Sequence, residues 1–306
     1  MATTRARAIL ASIAVAGVLC GCGPGPATGA GPASAANPHL PGAGPRQPTS
    51  GSAAGVARAI AARWAAAGAP APTLNTPIEY RTIDYTATVF NPGVPSGFTA
   101  FISTRRTILV TPASAATIDA SNGAPPRFAT PADQALWQAA GRPSLGQAAA
   151  TGQTQTIPAG GYSFLPQGST LTYRQAAALP AEPDRLAATI LDHLRPYAGP
   201  HPPASLELKQ LAYLIATAPL TDAARSAAWQ TLASLPGLRA CQSGPGRPRP
   251  RAIELCADSV ADQTLVSVDL DTGAILTIAD RLLRPSPMYP HVPIGTVVGS
   301  STFLTI

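Results

Sequence analysis

Thr264-Leu265-Val266-Ser267-Val268-Asp269-Leu270-Asp271-Thr272-Gly273-Ala274-Ile275-Leu276-Thr277-Ile278-Ala279-Asp280-Arg281-Leu282-Leu283 reads as two strands and the turn between them. Val, Ile, Thr and Leu dominate both arms, and Asp and Gly at the centre supply the backbone freedom of a hairpin turn. The same composition returns in Leu238–Cys241 and Ala252–Cys256 before the hairpin and in Gly295–Ile306 after it. Five strands in a row, joined by short or turn-like connections, imply an antiparallel meander over the last third of the chain.

Upstream the periodicity changes to that of helices. Leu186, Ile190 and Leu194 recur every four residues on a helix that Pro183 starts and Pro196 stops. Ser205 caps a second helix carrying Leu208, Leu211, Leu214 and Ile215. Thr221 caps a third, with Ala224, Ala228, Trp229 and Leu232, closed by Pro236-Gly237. Further back, Ile78–Phe90 and Phe98–Thr111 read as a long hairpin around Asn91-Pro92-Gly93. Ile78 and Tyr80 share one face of the first strand, but Ile83, Tyr85, Ala87 and Val89 share the other, so a bulge is expected near Arg81-Thr82. Between hairpin and helices, Pro131 precedes a short helix over Ala132–Ala140, Gln147–Pro158 is loop-like, and Tyr162–Leu165 pairs with Thr170–Tyr173. Val56, Ile60 and Trp64 lay one apolar stripe along a helix that ends at Gly68. The fold class is α+β, an antiparallel sheet packed with helices, in one domain spanning 53–306.

Residues 1–21 have the character of an export signal. Arg5 and Arg7 precede a twelve-residue apolar run, Ala8–Leu19, shorter than the roughly 20 residues a membrane-spanning helix needs. Leu19-Cys20-Gly21-Cys22 is similar to a bacterial lipobox, which implies cleavage before Cys22 and a lipid on its thiol. More than one acyl chain on that cysteine suffices for stable anchoring, so the expected location is the extracytoplasmic face of the cell membrane. Residues 22–52 are mostly Gly, Pro, Ala and Ser, a tether too poor in apolar side chains to fold. The formal charge of +6 falls by two, to +4, when Arg5 and Arg7 leave with the signal. A mild excess of this size suits an anionic surface and leaves no nucleic-acid footprint. Cys241 and Cys256 remain for the domain, and an even pair in an exported chain predicts a disulfide.

Catalytic motifs are not evident. Asp271-Thr272-Gly273 invites comparison with an aspartic protease, whose chemistry needs two such loops sharing a proton, and the chain has one. His39, His193, His201 and His291 show no metal-ligand spacing, the two domain cysteines form no C-x-x-C pair, and no G-x-S-x-G elbow or phosphate-binding glycine loop occurs. Neither a metal, a cofactor nor an enzymatic activity is therefore expected. Gly244-Pro245-Gly246-Arg247-Pro248-Arg249-Pro250-Arg251 is the one concentrated basic patch. Arg247, Arg249 and Arg251 are candidates for contact with an anionic surface, against the alternative of a solvated, proline-extended loop.

Leu179-Pro180-Ala181-Glu182-Pro183-Asp184-Arg185-Leu186 resembles the LP-x-x-P-x-x-L entry of an actinobacterial family of exported, membrane-anchored proteins. The resemblance continues through Ala223–Trp229 and Leu232–Gly237 to Asp271-Thr272-Gly273 and the Gly295–Ile306 strand. It covers about residues 170–306, and 78–110 by pattern alone. It implies a lipoprotein-carrier fold, in which a curled, unclosed antiparallel sheet wraps over helices and leaves an apolar concavity. The cysteine pair and the lipobox, where relatives carry a transmembrane helix, depart from the family pattern. No catalytic residue carries over. The implied function is a binding or carrier module for a lipid-like ligand, with Ile190, Leu194, Leu211, Leu214, Trp229 and Leu232 as candidate lining. The alternative is an envelope sensor that binds a protein partner.

Overall fold

Nine strands pair antiparallel into one sheet in the computed structural model, which describes residues 52–67, 76–90, 97–113, 116–145, 152–158, 160–241, 251–289 and 291–304. The elements are α1 (Ala53–Ala67), β1 (Ile78–Phe90), β2 (Phe98–Val110), β3 (Ala116–Phe128), α2 (Pro131–Ala139), β4 (Gln153–Ile157), α3 (Tyr173–Ala177), α4 (Pro183–Ala198), α5 (Ala204–Thr217), α6 (Asp222–Ala233), β5 (Arg239–Cys241), β6 (Ala252–Asp258), β7 (Asp262–Asp269), β8 (Ile275–Leu282) and β9 (Val297–Leu304). The order across the sheet is β4-β3-β2-β1-β9-β8-β7-β6-β5. Two meanders thus meet where β1 pairs with β9, and the curled sheet stays unclosed, with β4 and β5 as its edges. All described residues belong to one compact unit.

Alternation along the strands gives the sheet two different faces. Tyr80, Ile108, Val110, Leu255, Val266, Val268, Ile278 and Phe303 point to the inner face, where α1 and α3–α6 complete the main core around Trp229. The stripes read from the sequence do this work: Val56, Ile60 and Trp64 of α1, Leu186, Ile190 and Leu194 of α4, and Leu208, Leu211, Leu214 and Ile215 of α5 are all buried. Arg225 of α6 is buried among them. Its guanidinium lies 4.9 Å from the Trp64 ring and donates to the Ile215 carbonyl at the end of α5, so one charged side chain ties α1, α5 and α6. Burial pulls its pKa down to about 10.

The expected bulge near Arg81-Thr82 is absent, because β1 and β2 pair in unbroken register from Ile78↔Val110 to Phe90↔Phe98. The apolar phase changes because the covered face changes. Ile78 and Tyr80 meet the main core, whereas Tyr85 and Ala87 meet Phe101, Leu282, Val292 and Val298 on the outer face. Irregular register occurs instead at Phe101/Ser103 and Ser103/Thr104 on β2–β3, at Ser267/Val268 and at Asp280/Arg281.

Other expectations are also corrected. The loop expected over 147–158 contains edge strand β4, whose Gln and Thr residues are exposed but pair through the backbone with β3. Tyr162–Leu165 and Thr170–Tyr173 do not form a strand pair. One backbone bond, from Phe164 N to Leu171 O (3.0 Å), and one from Leu171 N to Ser163 Oγ (3.0 Å) join them, and Tyr173 opens α3 behind a Thr172/Gln175 capping box. Ser205 lies buried inside α5, which begins behind Pro203 without a side-chain cap. Helix α4 continues through Pro196 to Ala198, since a proline this near the end removes a bond only from the final turns. Among the described residues no helix is long and apolar enough to cross a membrane.

Candidate functional site

A row of polar side chains crosses the inner face of the sheet between its apolar parts. Register places Asn122 of β3 opposite Thr104 of β2, Thr104 opposite Asp84 of β1, and Asp84 opposite Ser301 of β9. One step along, Thr86 faces Gly299, Gly299 faces Asp280 of β8, and Asp280 faces Thr264 of β7. Hydrogen bonds bind the row together. Ser301 Oγ donates to Asp84 Oδ1 (2.7 Å), Arg106 Nε lies 3.1 Å from Asp84 Oδ2, and Thr264 Oγ1 donates to Asp280 Oδ1 (3.0 Å). Helix α5 adds two contacts from the core side, Lys209 Nζ to Asp280 Oδ2 (2.5 Å) and Tyr213 Oη with Ser301 Oγ (2.5 Å). Tyr80 and Tyr162 join hydroxyl to hydroxyl at the border with the main core.

Both carboxylates of the belt are thus matched by cations, and its tyrosines stay protonated. Burial, chiefly, pushes Tyr162 and Tyr213 up to about 12; Tyr80 rises through burial first and then through its neighbour Tyr162. The belt therefore offers neutral hydroxyls and partly exposed ion pairs.

The middle of the belt is open. Thr86, Arg106 and Asn122 are exposed, whereas Thr82 and Ile108, on the same face of β1 and β2, are buried. Beyond this opening lies an aromatic group, Phe90, Phe98, Phe128 and Trp137. Successive ring centroids are 5.3, 6.3 and 5.1 Å apart, and only Phe98 is fully buried. Helix α2 supplies Trp137 and is fixed by Asp133, which has no exposed side-chain surface. Asp133 accepts from Thr99 N (3.0 Å) and Thr130 Oγ1 (2.5 Å) and lies 2.8 Å from His291 Nδ1. Burial alone would raise the Asp133 pKa, but the hydrogen bonds from Thr130, His291 and Thr99 outweigh it and hold the carboxyl below its ordinary value.

The six candidate lining residues lie elsewhere. Ile190, Leu194, Leu211, Leu214, Trp229 and Leu232 are each at most 2% exposed and fill the main core, so the structure places them in packing rather than on an open concavity. A groove of about 320 Å³ runs between α1 and α6, but Arg58, Ala62, Gln230, Ala233 and Ser234 line it. Cys241 and Cys256 are joined in a disulfide on the outer face, their Cα atoms 6.0 Å apart, beside Leu265 and Ala279. Arg251 is paired with Asp271 (2.8 Å), while Arg247 and Arg249 lie outside the described residues. The signal, Cys22 and the tether up to residue 51 also lie outside them.

Asp271-Thr272-Gly273 is the β7–β8 turn. Asp269 Oδ1 accepts from Asp271 N and Thr272 N, and Gly273 adopts φ 68°. His193 Nδ1 contacts Ser169 Oγ (2.7 Å) and His291 contacts Asp133, so the two histidines meet different halves of a triad at separate places. Among the described residues no three of His, Cys, Asp and Glu gather as metal ligands. Comparison with known proteins finds no matching family model, curated protein or solved structure.

Proposed function

We propose that the protein is a lipid-anchored, extracytoplasmic binding protein that holds an amphipathic, lipid-like ligand on the inner face of its curled sheet and performs no chemistry on it. The observation that carries this reading is the juxtaposition of the open belt with the aromatic group. Phe90, Phe128 and Trp137 offer an apolar bed, and Thr86, Asn122 and the Asp84–Arg106 pair offer hydrogen bonds at its border. Ligand sites combine a mostly apolar lining with a few placed polar groups in this way. Anchoring through Cys22 brings the domain within tether reach of acyl chains. Dense packing of Ile190, Leu194, Leu211, Leu214, Trp229 and Leu232 moves the expected lining from the helices to β1–β3 and α2. That packing also favours a second reading, an envelope sensor whose inner face receives a protein partner rather than a lipid.

Native mass spectrometry of the mature protein extracted from membranes tests the proposal. The expected result is an added lipid mass, beyond any modification on the N-terminal peptide, that Trp137→Ala and Arg106→Gln each diminish. A ligand-free spectrum, or bound lipid indifferent to both substitutions, overturns it in favour of the sensor.

A further inference from the structure

Apolar side chains are concentrated, exposed, at one end of the sheet. Of the five large hydrophobic residues exposed among those described, three sit on two neighbouring connections: Val260 (77% exposed) on the β6–β7 turn, and Met288 (62%) and Ile294 (59%) on the β8–β9 connection. The connections are joined, because Leu283 N donates to Ala261 O (2.9 Å) and Gly295 N closes back on Leu282 O (2.8 Å). The long connection is also pinned. Val292 and Tyr289 pack on the outer face of the sheet, and His291 reaches Asp133 of α2. Pro285, Pro287 and Pro293 further restrict its backbone. A chain tied down at so many points holds Met288 and Ile294 outward by construction, and Arg284 stands exposed between its strand and Met288.

We propose that this end of the domain is a membrane-docking tip, whose Val260, Met288 and Ile294 enter the headgroup–acyl boundary of a bilayer while Arg284 meets anionic headgroups. Size decides between a bilayer and a protein as the occupant. Three aliphatic side chains fall well short of the roughly 800 Å² per partner that a stable protein interface buries. Shallow insertion needs no complementary partner surface, and a tether raises the effective concentration of even a weak contact. The inference rests on the anchored reading only for placing the domain near a membrane, so its test removes the lipid.

The test uses the mature chain from residue 22 with Cys22→Ser, and vesicles of equal parts phosphatidylglycerol and phosphatidylcholine. Cosedimentation should fall about ten-fold or more when Val260, Met288 and Ile294 are all changed to serine, with the melting curve unchanged. Arg284→Gln should weaken binding a few-fold on these vesicles and not on pure phosphatidylcholine. Equal binding by the triple variant, no binding by the parent chain, or loss of self-association or of a protein contact in place of vesicle binding overturns the tip. Lipid mass on the N-terminal peptide of the native protein reports separately on Cys22, so a lipidated protein whose unlipidated form ignores vesicles refutes the tip and leaves the anchor standing.

Discussion

Replacing Asp133 by alanine should destabilise the domain by about 3 kcal/mol at neutral pH. The figure follows from what the carboxylate satisfies. Thr99, wholly buried, donates its backbone N–H to Asp133 Oδ1 at 3.0 Å. Leaving that donor unpaired costs roughly 1–3 kcal/mol. Thr130 caps α2 by accepting from Asp133 N (3.1 Å) and donates its own hydroxyl to Asp133 Oδ2, and disturbing such a cap costs about 1 kcal/mol. His291, being partly exposed, can recover water in place of its bond. In a domain of this size each kcal/mol moves the midpoint by about 2–4 °C, so a fall of roughly 6–12 °C is expected. Asp133→Asn keeps an acceptor for Thr99 and should lose less. The pH dependence has a definite sign. A carboxyl whose pKa is lower folded than unfolded stabilises above its unfolded value, near 4, and that stabilisation disappears as pH falls through the folded value. The gap between parent and Asp133→Ala should therefore narrow below about pH 4. Urea denaturation of both proteins across pH measures it. A difference under about 0.5 kcal/mol at neutral pH, or one that does not shrink in acid, refutes the reasoning.

Cys241→Ser with Cys256→Ser should lower stability by about 3 kcal/mol, the chain-entropy value for a loop of this length; equal denaturation midpoints for parent and variant would contradict it. Arg225→Ala should cost about 2–4 kcal/mol, since it opens a cavity against Trp64 and leaves the Ile215 carbonyl without its donor; a midpoint within experimental error of the parent would discount that tie. Cys22→Ser should release the protein from membranes or leave the precursor uncleaved, and an unchanged membrane fraction without lipid on the N-terminal peptide speaks against the anchor.

Where hydrophobic period and burial coincide, the fold is legible in the residues. The α4 stripe of Leu186, Ile190 and Leu194, the Thr221 cap of α6 and the Asp271-Thr272-Gly273 turn are local signals, and each element forms where its signal lies. β3 and β4 carry no such signal. β3 contains Asn122, Gly123, Pro125 and Pro126, and β4 is Gln-Thr-Gln-Thr-Ile with one partly buried residue. Both are strands because β2 offers a free edge to β3 and β3 then offers one to β4, and backbone pairing outweighs unfavourable side-chain propensity there. For β4 the partner lies more than thirty residues away, from Ala120↔Gln153 to Ala116↔Ile157, so no short window of sequence contains that pairing.

The candidate site was illegible for the same reason, carried further. Asp84, Arg106, Asn122, Asp280 and Ser301 belong to five strands, and each reads alone as an ordinary polar residue at an alternating position. Only register turns them into a row, and only the β1–β9 pairing joins the first meander to the last. The aliphatic stripes were legible because they obey a local period, yet that same regularity suits them to filling a core. A ligand surface on a curled sheet must instead interrupt the core pattern. Here the interruption is visible on β1: Tyr80 and Thr82 are buried, Asp84 is half-buried, Thr86 is exposed, and Phe90 lies among the aromatic rings. A polar, open segment between two apolar ones on a single face leaves that part of the sheet to water unless something covers it. The same segment suits a sheet that holds something amphipathic across it.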